Sequence, residues 1–344
     1  MIHTQIEKMS TQRFSKVDFL SVGPSSSHVS CHNANQYVKR NIDYIAPEDV
    51  NNILILDVTW HSEIDARWME DLFAGKLSYD YILLYNMFDG YHTLYQTYYY
   101  KLKENYKVNF IGPQPLEPEN FFNFHEYNVA SWITNYPTEF VDNFKIKFEN
   151  LPDHYDFSYD FLYYAGGFSD DRLQFINHLN KNQLLKSNNI ITMGIQGGMS
   201  DSDGTHYPDN FGTTMPWHQS IVNLVSETRN GTVLNDDFSG CFVTEKTFKP
   251  IFAHMPFIHI NQPEKFTRFF TESCGYKLYN SFFDIPDHEP TNQEVCDALL
   301  RLSNMTSREK SVFYKSMLST IQYNYNNLQE RSGRIHNMFS NRSA

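Results

Sequence analysis

Cysteine is scarce: four residues in 344, Cys31, Cys241, Cys274 and Cys296. None is spaced as a CxxC pair or as a ligand set, which excludes a disulfide-built scaffold and a thiolate metal site, so the four read as reduced thiols. Long apolar runs are absent too. No stretch approaches the roughly 18–20 residues of a membrane-crossing helix. The opening MIHTQIEKMSTQRFSK has no apolar core of the kind a secretory leader needs. The expectation is a cytoplasmic chain with no membrane span. Basic charge is in deficit, 28 Lys and Arg against 40 Asp and Glu for a net charge of −12, which argues against tight non-specific binding to nucleic acid. There is no GxxxxGK[ST], no GxGxxG and no HExxH, so phosphate-loop, ordinary dinucleotide and zincin chemistries find no anchor. His61-Ser-Glu63-Ile-Asp65 gathers ligand-type residues without metal-site spacing. Asp201-Ser-Asp203-Gly204 has the start of a calcium loop but lacks the acidic twelfth residue, and reads as a surface loop. No metal site is expected.

Apolar residues make up 41% and charged residues 20%, and aromatics are abundant with 28 Phe and 23 Tyr. This is the composition of a globular protein, and its length suits two domains of roughly 150–180 residues. Short apolar runs at 18–23, 53–58, 81–86 and 108–112 read as buried strands, with helical patterns at 64–75 and 91–105 between them and another at 121–134. The irregular stretch from Pro137 to about Asp156 marks a boundary, giving domains 1–150 and 151–344. In the second, strands are expected at 161–165, 190–194, 221–226 and 257–260, with helices at 171–181 and 244–254. Strand–helix alternation calls for an α/β fold with parallel sheets. Capping boxes at Thr291–Glu294 and Thr306–Glu309 announce the last helices. The second of these is long, with Phe313, Met317, Ile321, Tyr325 and Leu328 on one core-facing stripe.

The densest chemistry lies in Ile221-Val-Asn-Leu-Val-Ser-Glu227-Thr228 and, after a polar loop, Phe242-Val-Thr244-Glu245-Lys246-Thr247. A strand delivers a carboxylate at its end, and a helix then opens on Thr-Glu-Lys. Unpaired amides and the positive end of the dipole suit a helix N-terminus to a diphosphate, and Lys246 adds a full charge. Glu227 is placed to accept hydrogen bonds from ribose or sugar hydroxyls. A plain capped helix with Glu245 and Lys246 on its surface is the competing reading.

This pair of segments resembles the donor-binding signature of the fucosyltransferases of glycosyltransferase family ten, in which a strand ending in aromatic-Glu-Asn precedes a Thr-Glu-Lys helix and a Pro-containing strand. Here Ser226 and Thr228 stand where that family has its aromatic residue and Asn, and Pro250 falls inside the helix, where a kink is expected. A second segment, Phe161-Leu-Tyr-Tyr-Ala-Gly166-Gly167-Phe-Ser-Asp170-Asp171-Arg172, is similar to the opening of the donor domain in those enzymes. The resemblance covers roughly residues 161–284. It implies two Rossmann-like domains facing across a cleft, the GT-B arrangement, with the final helix returning to the first domain. It further implies that Arg172, Glu227, Thr244, Glu245 and Lys246 hold a nucleotide-sugar donor, which is a substrate and not a cofactor, and that hexosyl or fucosyl transfer needs no metal. A general base must then come from the N-terminal domain. The candidates after its strands are Glu63, Asp65 and Asp89, in that order, with His61 and His92 near them; Gly23–His28 either lines the acceptor site or is a plain polar turn. The expected acceptor is a glycan or lipid-linked sugar. The alternatives are a hydroxymethylated base in DNA, as phage glycosyltransferases use, and a non-catalytic sugar- or nucleotide-binding protein.

Overall fold

The computed structural model describes residues 6–9, 13–21, 42, 46–47, 49–57, 66–85, 92–112, 122–123, 155, 157–165, 170–186, 189–193, 217, 219–227, 243–287 and 289–340. The chain divides into two compact units. One comprises Met1–Tyr127, Arg229–Phe242 and Gly333–Ala344, and the other Asn128–Thr228 and Val243–Ser332.

The first unit is built on a six-stranded sheet of β1 (Ile6–Met9), β2 (Lys16–Ser21), β3 (Asn52–Asp57), β4 (Tyr81–Tyr85), β5 (Lys107–Gly112) and β6 (Phe122–Asn123), in that spatial order. Only β1 runs antiparallel; the others form parallel pairs. A parallel sheet is covered on both faces, so its strands are continuous apolar runs and not alternating ones. Leu54 and Leu56 of β3 face Met69 and Leu72 of helix α1 (Ala66–Phe73) and Tyr99 and Leu102 of α2 (His92–Lys103). Ile53 and Ile55, one residue out of phase, join Val17, Phe19, Tyr81 and Leu83 beneath Phe14, Ile42, Ala46 and Val50. The helical pattern read at 121–134 is corrected at its start: Phe122 pairs with Ile111 in the sheet. The remainder of that stretch lies outside the described residues.

The second unit carries a four-stranded, wholly parallel sheet of β7 (Tyr159–Ala165), β8 (Asn189–Met193), β9 (Ser220–Val225) and β10 (Phe257–His259), in the spatial order β10-β9-β7-β8. Helix α3 (Asp170–Lys181) packs on one face, with Phe175 edge-on to Tyr163 at 5.3 Å. Helix α4 (Glu245–Phe252) lies against β9, and after α5 (Glu264–Arg268) come α6 (Asn292–Ser303), which packs on both β7 and α3, then α7 (Ser307–Ser316) and α8 (Leu318–Ser340). Lys310 of α7 forms an ion pair with Asp160 of β7, both nearly buried. The helix expected after Thr306 is in fact two. It breaks at Met317, which caps α7, and the stripe continues across the break with Met317, Ile321, Tyr325 and Leu328 buried.

Both capping boxes form. Thr291 Oγ1 accepts from the Glu294 amide at 3.2 Å, and the Glu294 carboxylate accepts from the Thr291 amide at 2.7 Å. The Thr291 amide and then its hydroxyl, both donating to the carboxylate, hold the Glu294 carboxyl below its ordinary range. Thr291→Ala removes one reciprocal bond and is expected to lower stability by about 1 kcal/mol, measured by denaturant unfolding. No change would mean that α6 is held by its buried face alone. Among the described residues, no helix is long and apolar enough to cross a membrane.

Candidate functional site

The strand order of the second sheet contains a reversal. The chain moves from β7 outward to β8, then returns to set β9 against the other side of β7 before continuing to β10. In open α/β sheets the loops leaving the strands on either side of such a reversal diverge to opposite faces, and a crevice opens beyond the carboxyl ends. Here that point lies between the ends of β7 and β9, at Ala165 and Val225. The first sheet shows no such reversal among its described strands, because its order follows the chain.

Two consecutive residues at the end of β9, Ser226 and Glu227, organise what converges there. Successive residues of a strand point to opposite faces, and each of these two binds the helix on its own side. Ser226 receives Arg172 of α3: the guanidinium NH2 donates to the Ser226 carbonyl at 3.1 Å and Nε lies 3.4 Å from Ser226 Oγ. Arg172 is 5% exposed. Ser226 thus offers both its carbonyl and its hydroxyl oxygen to the Arg172 guanidinium.

Glu227 is buried and receives α4. Its Oε1 accepts from the Thr244 amide at 2.9 Å and from Thr247 Oγ1 at 2.6 Å, and its Oε2 accepts from Thr244 Oγ1 at 2.6 Å. Three donors on one carboxylate weld the strand end to the first turn of the helix. In this geometry its oxygens accept from the protein's own hydroxyls and amide, and Oε2 takes one of these three bonds. Thr244 is the N-cap, its Oγ1 accepting from the Lys246 amide at 3.3 Å. The same oxygen accepts from Lys246 Nζ at 3.2 Å, which folds the half-buried ammonium back over the helix N-terminus. Helix dipole, ammonium and guanidinium thus meet around the end of β9, with the Glu227 carboxylate between them. Thr247 Oγ1 also lies 3.0 Å from Nε2 of His259 on β10. That imidazole is wholly buried among Phe257, Phe266 and Phe270, and burial lowers its pKa from 6.5 to about 3.

Pro250 lies within α4, and the helix continues through it to Phe252. Having no amide hydrogen, Pro250 gives nothing to the Lys246 carbonyl one turn earlier. The helix closes soon after, where His254 adopts a left-handed conformation at φ 49°. Tyr314 O–H donates to the His254 carbonyl at 2.6 Å, and the Tyr325 ring lies 4.0 Å from the imidazole, so α7 and α8 hold a turn that glycine would usually fill.

Of the donor-side residues read from the sequence, the structure joins Arg172, Glu227, Thr244 and Lys246 to one strand end. Glu245 opens the helix, and its side chain lies outside the described part. Glu63, Asp65 and Asp89 also lie outside the described residues. Sequence reading passed over three side chains. Asp57 is a buried carboxylate at the carboxyl end of β3, aligned with Ser21 and Tyr85; an acid closing an apolar strand was the available signal. Thr247 and His259 were the others, and the signal for His259 was a lone polar residue within Phe-Ile-His-Ile. Among the described residues no group of three or more His, Cys, Asp or Glu side chains could hold a metal ion, and Cys274 and Cys296 are free thiols.

No protein-family model matches the chain, and no curated protein matches it. Among solved structures it is similar to the glycotransferase of kitacinnamycin, at 9% identity over 84% of this chain and 91% of that one, with a TM-score of 0.34. A likeness this distant carries no argument about chemistry, and the functional reading stands on the site itself.

Proposed function

We propose that the second unit binds the diphosphate of a nucleotide-sugar donor and that the protein is a glycosyltransferase. The observation that carries the proposal is the convergence of Arg172 and the Thr244–Lys246 turn on the end of β9, at the reversal of a parallel sheet. A diphosphate is stabilised there by the N-terminal turn of α4 and by Lys246 moving from Thr244 Oγ1 onto a phosphate oxygen, with Arg172 supporting the strand end from the other face. As the glycosidic bond breaks, negative charge develops on the departing diphosphate. Fixed dipoles and cations aimed at that charge do the work a divalent ion does elsewhere. The proposal therefore includes transfer without an obligatory metal. It also includes a general base drawn from Glu63, Asp65 or Asp89, and an acceptor hydroxyl on a glycan or lipid-linked sugar. The net charge of −12 supports such an acceptor over a base in DNA. Hexosyl or fucosyl transfer belongs to the same proposal, and the resemblance around Thr244–Lys246 supports its diphosphate grip.

The test is a thermal-shift panel of nucleoside diphosphates and nucleotide sugars, because a ligand that binds only the folded state raises its stability by about 2.7 kcal/mol at a hundred times Kd. At least one member is expected to raise the melting temperature. Lys246→Ala is expected to weaken that ligand about 10- to 100-fold, the worth of one charge-assisted contact, with the fold intact. Unchanged binding by Lys246→Ala would remove the phosphate assignment. Binding without donor hydrolysis or transfer to any acceptor would instead favour a non-catalytic sugar-nucleotide-binding protein.

A further inference from the structure

We infer that His259 is a positioning residue for this site: through Thr247 it fixes the Glu227 carboxylate that holds the first turn of α4 in place for an anion. The inference relies on the diphosphate reading only for what that turn binds, while the hydrogen-bond argument is independent of it.

A count of protons gives each bond its direction. Thr244 Oγ1 and Thr247 Oγ1 each have one hydrogen, and each stands 2.6 Å from a different oxygen of Glu227. A carboxylate only accepts, so both hydroxyl hydrogens are committed to it. Thr247 Oγ1 has lone pairs left and no hydrogen, so the 3.0 Å contact with His259 requires a hydrogen on Nε2. His259 is then the neutral tautomer protonated at Nε2 and donates to Thr247. Thr244 Oγ1 likewise has only lone pairs to offer, and Lys246 occupies them through its amide and its ammonium. Hydrogen bonds thus run inward from both ends, from His259 through Thr247 and from Lys246 through Thr244, and meet at Glu227.

The ring is held in register by its surroundings. Phe257, Phe266 and Phe270 meet it edge-to-face at 5.0, 4.8 and 5.3 Å, which fixes the ring plane and aims Nε2 at Thr247. The need for the bond follows from what a helical threonine does without it. Its hydroxyl readily turns back to a carbonyl three or four residues earlier, here that of Thr244 or Val243. With that turn Oε1 loses a donor, the carboxylate is free to rotate, and the Thr244 amide and hydroxyl lose their fixed partner. His259 holds Thr247 in the rotamer that serves Glu227.

Three measurements test this. Side-chain nitrogen NMR of the wild type is expected to show His259 protonated at Nε2, bare at Nδ1 and unchanged from pH 5 to 8; the opposite tautomer would overturn the inference. Calorimetric titration with UDP, GDP and inorganic pyrophosphate compares His259→Gln with His259→Phe. Glutamine places an amide donor near the position of Nε2 and is expected to keep wild-type affinity, whereas phenylalanine is expected to weaken binding about 10-fold, the worth of one buried hydrogen bond. Equal affinities in the two variants would overturn the positioning role. Where His259→Phe does not fold, Thr247→Ser and Thr247→Val make the same comparison, with serine expected to retain binding. Where the wild type binds none of the three probes, the diphosphate reading falls, and exchange of the Thr244 amide decides the relay. Exchange is expected to be faster in His259→Phe or Thr247→Val than in the matched Gln or Ser variant, and equal rates would overturn the relay.

Discussion

Lys310→Met is expected to destabilise the second unit by about 3–5 kcal/mol, the cost of leaving a buried charge without its partner. Asp160 and Lys310 side chains are 3% and 11% exposed, and desolvation raises the Asp160 pKa from 3.8 even with the ammonium in place, although Lys310 opposes the rise. Without Lys310 the carboxyl must be buried either charged and unpaired or protonated. The loss is therefore expected to depend on pH. A folded pKa raised above the unfolded value favours the protonated folded state, so the deficit is small below pH 3.8 and grows as the pH rises above it. Urea unfolding of Lys310→Met between pH 4 and 7 checks both the size and the sign. Adding Asp160→Leu to Lys310→Met is expected to restore much of the loss, because a well-packed apolar pair of similar volume often matches a buried ion pair. A deficit under about 1 kcal/mol at neutral pH would place the pair in effectively solvated surroundings.

The second large effect is acid destabilisation through His259. Its pKa is near 3 in the fold and 6.5 ordinarily, so below pH 6.5 the unfolded chain takes up a proton that the folded chain refuses. Stability contributed by this residue is complete above pH 6.5 and is lost as the pH falls toward 3, at about 1.4 kcal/mol per unit. Among the described residues the ring meets Thr247 and three phenylalanines, with Glu227 one hydroxyl beyond. Carboxylates elsewhere titrate in the same range, so the informative quantity is the difference between wild type and His259→Gln, whose amide does not titrate. That difference is expected to narrow or invert on going from pH 7 to pH 4.5 in favour of the glutamine variant. Parallel curves would show that the ring protonates inside the fold at little cost.

Much of the fold was legible because parallel strands buried on both faces are runs of apolar residues bounded by polar ones. Residues 53–58 and 81–86 could hardly be anything else. The edge strands of the first sheet were not legible. Ile6–Met9 and Phe122–Asn123 are short, and an edge strand relies on its neighbour's backbone more than on its own side chains. The break at Met317 escaped notice because Met317, Ile321, Tyr325 and Leu328 keep helical spacing through it; the interruption lies in the backbone and not in the pattern. At the site, Thr244 and Lys246 were found because a helix cap is a local signal. The use of Glu227 was not local. Its carboxylate accepts from hydroxyls 17 and 20 positions further along the chain, and only the folded arrangement shows these bonds. His259 was hidden for the same reason, since its partner sits on a helix that precedes its own strand.

The reversal in strand order also bears on how the unit assembles. Chain neighbours form β9 and β10, or β7 and β8, by closing modest loops, but pairing Phe161 with Val222 closes the longer loop that carries the whole β8 excursion. Loop-closure entropy makes such long-range pairings slow, and they set the pace of folding. The crevice at the end of β9 exists only once this pairing is made, so Arg172 is expected to meet Ser226 at a late stage. A ligand caged there reports completion of the whole sheet, and its binding kinetics during refolding would time that last step.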